Sequence, residues 1–506
     1  MKNKHILLLL TLASVFACGE VTPSTSRPNT STTTTSTRPF ASSVDYDLVE
    51  TKIEDFTFEE TEDGYYITRY NYKAKSTTRV VIPETYLDTP IVGIRDGAFV
   101  YASGIKKVFI SKTLTNIDNG AFVNCGTIEA LEVSEENPNY SAKDGSLYSK
   151  NLDTFIFCPE GIMSITIPSS VKHLADRAFY RSAIKEIILQ DGLESIGAEC
   201  FSRTKALTEL IMPNTVTSIG ESTFSYAAKL KTVKLSTSLT KLPKLTFSLC
   251  PVIKEITVPG NIKIVDEQAI TDNDYLEKVT FENGVESIGE WAVIRNTFLK
   301  EVVLPTSLRT IAANAFNSND HLTTITLPEG LTSIGDSAFA LCPVLPTINI
   351  PSTVTSIGQG VVAYNKKLAT IDVADNNQHF KDDEGVLLSK DGKRLLSYPA
   401  NRVGYSYAIP NTVESIDREA MTYCIRLGYQ DGKENIAGKL TIPTSVKKIG
   451  IKAFGYSSAL SEIHYEGTST EFNKIVVSEF IEGEAVSAFT DSSVRKIICS
   501  DGTLSV

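Results

Sequence analysis

Apolar residues return along this chain at fixed phases. Ile196-Gly197 and Phe201 come back 23 residues later as Ile219-Gly220 and Phe224. The position before the Phe falls at 200, 223, 246, 269, 292, 315, 338 and 361, without a slip. A fixed period in this range marks a solenoid, whose units cannot bury their apolar side singly and stack to share one core. Each unit opens on a short alternating stretch closed by proline, as in Leu210-Ile-Met-Pro213, Ile256-Thr-Val-Pro259, Val302-Val-Leu-Pro305, Ile325-Thr-Leu-Pro328 and Ile348-Asn-Ile-Pro351. Period-two alternation predicts a half-buried strand, and proline marks its end because it cannot donate to the ladder. A second short element follows at Val216–Gly220 and Leu331–Gly335. The Ala-Phe pair then sets one small and one large residue inward. Rungs ending in Ala269-Ile270, Ala292-Val293 and Val361-Val362 lack the Phe but stay apolar.

The expected organisation is a mainly β repeat solenoid with ~23-residue rungs, short parallel strands, inserted hairpins and end caps. Asp63-Gly64, between runs rich in aromatic residues and Thr, predicts a hairpin within an amino-terminal cap over 44–80. The solenoid occupies 81–460, and the more polar, less periodic 461–506 forms the carboxy-terminal cap. Thirteen repeat phrases are countable, from Phe99 to Phe454. Two rungs are expanded, around 137–159 and again about 240 residues later around 377–399. Both carry β-rich runs about a polar turn, Asn151-Leu-Asp153 and Asp391-Gly392-Lys393, and are expected to be hairpins set into a longer rung. Such insertions usually project from one face, often the binding face. The other reading is a bulkier rung without a contact role.

The first residues follow a different pattern. Lys2 and Lys4 precede an eleven-residue apolar stretch, Ile6–Phe16. That is too short to span a bilayer and reads as a secretory signal peptide over 1–17. The sequence Val15-Phe16-Ala17-Cys18-Gly19 resembles a bacterial lipobox, which would make Cys18 the lipid-attachment residue. Phe16 stands where a small residue is usual, and the alternative is a secreted protein with an incidental cysteine. Residues 18–43, mostly Ser, Thr and Pro, have almost nothing to bury and are expected to be a disordered tether. Its reach would be on the order of 25 Å. No later stretch has 18 consecutive apolar residues, so no transmembrane helix is expected. The formal net charge of -11 argues against nonspecific attraction to nucleic acid or an anionic membrane surface.

Eight cysteines in an exported chain would ordinarily predict disulfides. Here the register opposes them. Cys125, Cys250, Cys342 and Cys424 each sit three residues after the Phe slot, and Cys250 and Cys342 are four rungs apart. Four rungs put them roughly 19 Å apart, against about 7 Å for a bridge. They are expected to be buried free thiols, and no pair suggests itself for Cys158, Cys200 or Cys499. His173, His321, His379 and His464 fall at unrelated phases, and Asp272-Asn273-Asp274 lacks the rest of a calcium loop. No metal site and no cofactor are expected. Gly-x-Ser-x-Gly, His-Glu-x-x-His, a phosphate-cradling Gly loop and Cys-x-x-Cys are all absent from the sequence, so no catalytic residue is named.

One slot varies in an informative way. Two residues after the Phe position stand Tyr101, Tyr226, Tyr364, Tyr423 and Tyr456, and also Arg181, Arg203 and Arg295. These are eight of thirteen slots, filled by the residue types enriched at protein interfaces. The slot is expected to be partly exposed and to form a candidate partner-binding edge. The alternative is that the rings only cover the edge.

The phrase Leu322–Cys342, Leu-Thr-Thr-Ile-Thr-Leu-Pro-Glu-Gly-Leu-Thr-Ser-Ile-Gly-Asp-Ser-Ala-Phe-Ala-Leu-Cys, resembles the repeat of BspA-like leucine-rich-repeat proteins. The resemblance spans about 80–506. It implies a bacterial surface or secreted protein; with the lipobox-like stretch the chain is expected to be exported, anchored to the envelope by its amino-terminal lipid and exposed on the cell, and with no catalytic motif it is expected not to be an enzyme. It also implies adhesion to a host matrix protein or another cell surface. The alternative is an accessory envelope lipoprotein that binds glycan or a neighbouring envelope protein.

Overall fold

Isoleucine stacked on isoleucine, one rung apart, sets the geometry. In the computed structural model Ser195 and Ile196 pair in parallel with Ser218 and Ile219. The same register recurs from Lys241-Leu242 through five further rungs to Ser356-Ile357. A second parallel ladder stacks the proline-ended strands, such as Glu255–Val258 on Lys278–Phe281 on Glu301–Val303. The described residues are 51–71, 78–404, 406–425, 427, 439–481 and 484–506. The expected signal peptide, Cys18, the tether and residues 44–50 of the expected cap lie outside them. The chain is a β-solenoid of about 17 turns with ~23-residue rungs and almost no helix. Ser469–Phe472 is the one short α-helix among the described residues.

The turn number exceeds the thirteen phrases for a structural reason. Tyr70, Cys158, Tyr398 and Phe489 take the Phe position in turns whose sequence departs from the phrase, with Phe157 beside Cys158 supplying the ring. Tyr70 stacks on Phe99 at 5.5 Å, Phe157 lies 5.6 Å from Phe122, and Phe489 stacks on Phe454 at 5.5 Å. Tyr398 donates its N–H to the Ala420 carbonyl of the next turn. Elsewhere the expected ring ladder is continuous: Phe155, Phe179, Phe201, Phe224 and Phe247 stack at 4.8, 5.2, 5.8 and 5.3 Å. Ile270 and Val293 interrupt it and are fully buried in its place.

The Asp63-Gly64 hairpin is present: Phe56–Thr61 pairs antiparallel with Gly64–Tyr70. Gly64–Tyr70 then pairs in parallel with Thr89–Ile94, so the hairpin enters the ladder directly. The two expanded rungs are three-stranded antiparallel units, Tyr140–Lys143, Ser146–Ser149 and Thr154–Phe157, then Phe380–Asp383, Val386–Ser389 and Arg394–Ser397. They do not project as the usual behaviour of insertions would have it. Leu147, Tyr148, Phe155, Leu387, Leu388, Leu395 and Leu396 are all buried. The hairpins lie across the solenoid, and alternate side chains face opposite ways. Leu147 and Phe157 join the amino-terminal core, while Tyr148 and Phe155 join the central one. Leu387 and Leu396 join the central core, while Val386, Leu388 and Leu395 join the carboxy-terminal one. The apolar interior is therefore three cores separated by two partitions.

Candidate functional site

The edge that carries the Tyr/Arg slot is built by a left-handed backbone turn. Tyr101, Arg181, Arg203, Tyr226, Arg295, Tyr364, Tyr423 and Tyr456 all have φ between 53 and 66°. Leu249, Asp272, Ser318 and Leu341, in the same slot, share it. The turn aims each slot N–H at the next rung: Arg203 donates to the Ser225 carbonyl and Tyr226 to that of Ser248, both at 2.8 Å. An L-residue in this region carries a cost of about 1 kcal/mol, and β-branched residues, which suffer most, are absent from the slot.

The residue after the slot is buried, and its chemistry explains the cysteines. Cys125, Cys250 and Cys342 donate Sγ–H to the carbonyls of Phe99, Phe224 and Phe316 at 3.1, 3.1 and 3.2 Å. Asn273, Asn296, Asn319 and Asn365 occupy the same position and donate Nδ2 to the corresponding carbonyls of Phe247, Ile270, Val293 and Phe339. Their Oδ1 atoms accept the N–H of the residue one rung earlier, as Asn273 does from Cys250 at 2.8 Å and Asn296 from Asn273 at 3.1 Å. The loop therefore rests on a buried asparagine ladder. All seven described cysteines are free and buried, as the register requires of Cys125, Cys250, Cys342 and Cys424. Burial pushes the thiols of Cys250, Cys342 and Cys424 up to about 12, which keeps them protonated. Sequence reasoning missed the ladder although its asparagines share the cysteine phase.

The slot residues fall into local clusters. The Arg203 guanidinium lies over the Tyr226 ring at 4.0 Å. Arg295 makes a two-pronged ion pair with Asp272, at 2.7 and 2.8 Å. Tyr423 and Tyr456 stack at 5.2 Å, and Tyr364 meets both edge-on at 6.0 and 5.9 Å. Lys366 sits over the outer part of that cluster, 4.6 Å from the Tyr423 ring centre. The second partition creates this cluster. Its rung contributes no corner loop here, so the Tyr364 N–H reaches Thr422 Oγ1, 58 residues on, at 2.9 Å. Exposure is uneven. Tyr101 is 80% exposed, Tyr456 45% and Tyr226 43%, whereas Tyr364 is half-buried with its hydroxyl donating to Glu419 at 2.8 Å. Burial, with the Glu419 carboxylate beside it, raises the Tyr364 hydroxyl above the ordinary phenol range. Arg181 shares the turn but joins none of these clusters.

Three other places gather functional groups. Where the first partition removes a corner loop, Arg177 reaches Asp96 at 3.6 Å across a recess of about 460 Å³ lined by Asp118, Asp176 and Glu199. Arg418 and Asp336 repeat the arrangement at the second partition, 4.0 Å apart. A shallow groove of about 1010 Å³ lies over the seam between Glu186–Ile188 and Glu209–Ile211, lined by Ile165, Ile187, Leu189 and the exposed Ile188 and Ile211. His173 Nδ1 lies 2.9 Å from Ser195 Oγ, a contact set by register, since Thr154, His173, Ser195 and Ser218 form one row. Among the described residues no cluster of three or more His, Cys, Asp or Glu is placed to hold a metal ion.

Comparison with known proteins places this architecture. A family model described as the BspA type leucine rich repeat region matches residues 65–160, 150–277, 271–383 and 432–498. A leucine-rich repeat protein of Eubacterium ventriosum is 26% identical over 52% of this chain and 76% of that chain, with a TM-score of 0.39. A leucine rich cell surface protein of Faecalibacterium prausnitzii is 22% identical over 85% of this chain and 98% of its own, with a TM-score of 0.43. A leucine-rich repeat protein of Bacteroides ovatus is 20% identical over 84% and 97%, with a TM-score of 0.44. No curated protein matches. With its repeat matched over well more than half its length, the chain belongs to the BspA-type leucine-rich-repeat family.

Proposed function

We propose that this is a bacterial surface protein, attached by lipid at Cys18 and lifted by the 18–43 tether, whose slot edge binds a protein partner on a host matrix or another cell. The observation that carries the reading is the Tyr364–Tyr423–Tyr456 cluster. Its rings stack on one another and under Lys366, so the flat faces that a sugar would need are largely covered. What stays open is a mixed edge of ring rims, hydroxyls and cations, the chemistry of protein contacts rather than of glycan stacking. Tyr226 under Arg203 repeats it. A row of such contacts gains by multivalency, each weak alone. The tether keeps the edge clear of the membrane.

The test is binding of the full-length protein to a panel of matrix proteins, with Tyr101, Tyr226 and Tyr456 changed singly to Ala. These three are the most exposed rings of the slot, and Tyr364 is avoided because its hydroxyl is tied to Glu419. Saturable binding weakened by two or more of the changes supports the reading. Saturable binding indifferent to all three sinks the edge. Metabolic labelling with a radioactive fatty acid, lost in Cys18→Ala, tests the anchor separately.

A further inference from the structure

Each of the solenoid's two ladders has an outermost strand at either end, with backbone groups that no further rung pairs. Three of these edges are guarded. At the amino end, Phe56–Thr61 carries the exposed Glu59 and Glu60, and Val81 of Arg79–Val81 gives its N–H to Thr51 Oγ1 at 2.9 Å. At the carboxy end, Lys448-Ile449 is met by Val476, which accepts the Ile449 N–H at 2.9 Å and donates to the Lys447 carbonyl at 3.0 Å. The remaining edge is Gly502–Ser505, paired antiparallel with Lys496–Cys499. Val506 donates its N–H to the Arg495 carbonyl at 3.1 Å. By the alternation of an antiparallel pair, Gly502 and Leu504 also bond inward, and the N–H and C=O groups of Thr503 and Ser505 face outward. Among the described residues no strand pairs with them, and 502–506 carries no charged side chain.

We propose that this edge pairs with the same edge of a second copy of the chain, antiparallel about a two-fold axis at Leu504.

Two observations carry it. The first is the contrast between the ends. Charge or a covering segment keeps three edges from pairing, and neither guards the fourth. A row of outward backbone donors and acceptors specifies its occupant as an extended strand. The second is that the edge matches itself, as a two-fold contact requires. About Leu504, Thr503 faces the partner's Ser505, and the two exchange backbone hydrogen bonds in both directions. Leu504 faces the partner's Leu504, and Gly502 faces the partner's Val506. A side chain at Gly502 would meet nothing within 4 Å, so there is room for the partner's Val506, whose equivalent here is 49% exposed. No like charges meet. The same operation at Phe56–Thr61 would bring the Glu59 and Glu60 carboxylates of two copies together, which is destabilising. The contact continues a five-stranded sheet into its mate. One short strand hides less than the ~1,200 Å² of stable complexes, so the dimer is reversible.

The experiment uses the full-length chain with Cys18→Ala, which removes the lipid as a cause of association. Leu504→Cys then faces its own symmetry mate at about 4.5 Å between Cα atoms, within disulfide reach. Thr503→Cys lies about 9 Å from its mate, beyond that reach. Mild oxidation should give a covalent dimer with Leu504→Cys and none with Thr503→Cys or the parent, whose described cysteines are buried. Adding Thr503→Lys/Ser505→Lys should abolish the crosslink, and Thr503→Glu/Ser505→Lys, which sets opposite charges across the axis, should restore it. Sedimentation velocity of the two charge variants, without the added cysteine, should show a monomer for the first and a concentration-dependent dimer for the second, with unchanged melts. Equal crosslinking of both cysteine variants would mark random collision and overturn the proposal. So would a monomer at every concentration in the parent, or a dimer that tolerates the paired lysines. None of these readouts involves the slot edge, so failure here leaves the partner-binding reading standing.

Discussion

Leu147 and Tyr148 are neighbours in sequence and belong to different cores: Leu147 packs with Ile91 to Phe122, and Tyr148 with Phe155 to Phe201 and beyond. The strand alternation at the first partition sends one side chain each way. In a solenoid, stability is close to a sum of rung terms and nearest-neighbour interfaces, so a partition is where cooperativity can break. Leu147→Ala should cost about 3 kcal/mol and Tyr148→Ala about 4. The location matters more than the size. By native-state hydrogen exchange, Leu147→Ala should loosen 91–133 and spare 174–224, with Tyr148→Ala doing the reverse. Both variants loosening the same residues would show that the cores act as one.

The asparagine ladder makes a sharper demand. Asn296 donates to the Ile270 carbonyl and accepts both the N–H and Nδ2–H of Asn273. Asn296→Ala leaves the Ile270 carbonyl and the Asn273 N–H buried without that partner, a loss of about 3 kcal/mol. Asn296→Cys copies the Cys250 and Cys342 solution. Its Sγ–H can still reach the carbonyl, so it should cost about half as much. Urea melts of the two variants check the order, and a cysteine variant as unstable as the alanine variant would refute the account.

Buried thiols make stability depend on alkaline pH. Cys250, Cys342 and Cys424 are pushed up to about 12 by burial, against about 8.5 in an unfolded chain. A group whose folded value is raised stabilises fully below its unfolded value and loses that contribution as pH rises toward the folded one. The melting temperature should therefore hold up to about pH 8 and then fall by about 5 °C or more by pH 10. The buried thiols should also resist a disulfide reagent at pH 8 until denaturant is added, and reductant should not shift the melt.

How much of this was legible follows from what periodicity can and cannot carry. The Phe ladder and the free cysteines were legible because 23 residues map one residue onto one place. The asparagine ladder is equally periodic and shares the cysteine phase, but a phase that mixes Cys and Asn does not show that both side chains reach the same row of carbonyls. The partitions were less accessible. A hairpin's existence shows in its polar turn, but that Leu147 and Tyr148 serve different cores depends on which rungs lie on either side. The three tyrosines of the cluster share the slot phase, but that Tyr364 and Tyr423 meet depends on the second partition omitting a corner loop between them.

The slot conformation separates binding from packing. Tyr101 has φ 62° and is 80% exposed. Tyr364 has φ 66° and is half-buried, its hydroxyl bonded to Glu419. Glycine removes the left-handed strain, worth about 1 kcal/mol, though it gives part back as chain entropy. Tyr101→Gly should leave stability unchanged or raise it slightly, because little packing is lost. Tyr364→Gly should cost about 2 kcal/mol or more, through the lost hydroxyl bond and the two ring contacts. Thermal melts read both. A ring that strains its backbone and contributes little to stability needs another reason to be there. If Tyr101→Gly instead destabilises as much as Tyr364→Gly, the slot rings serve the fold, and the partner-binding edge loses its physical basis.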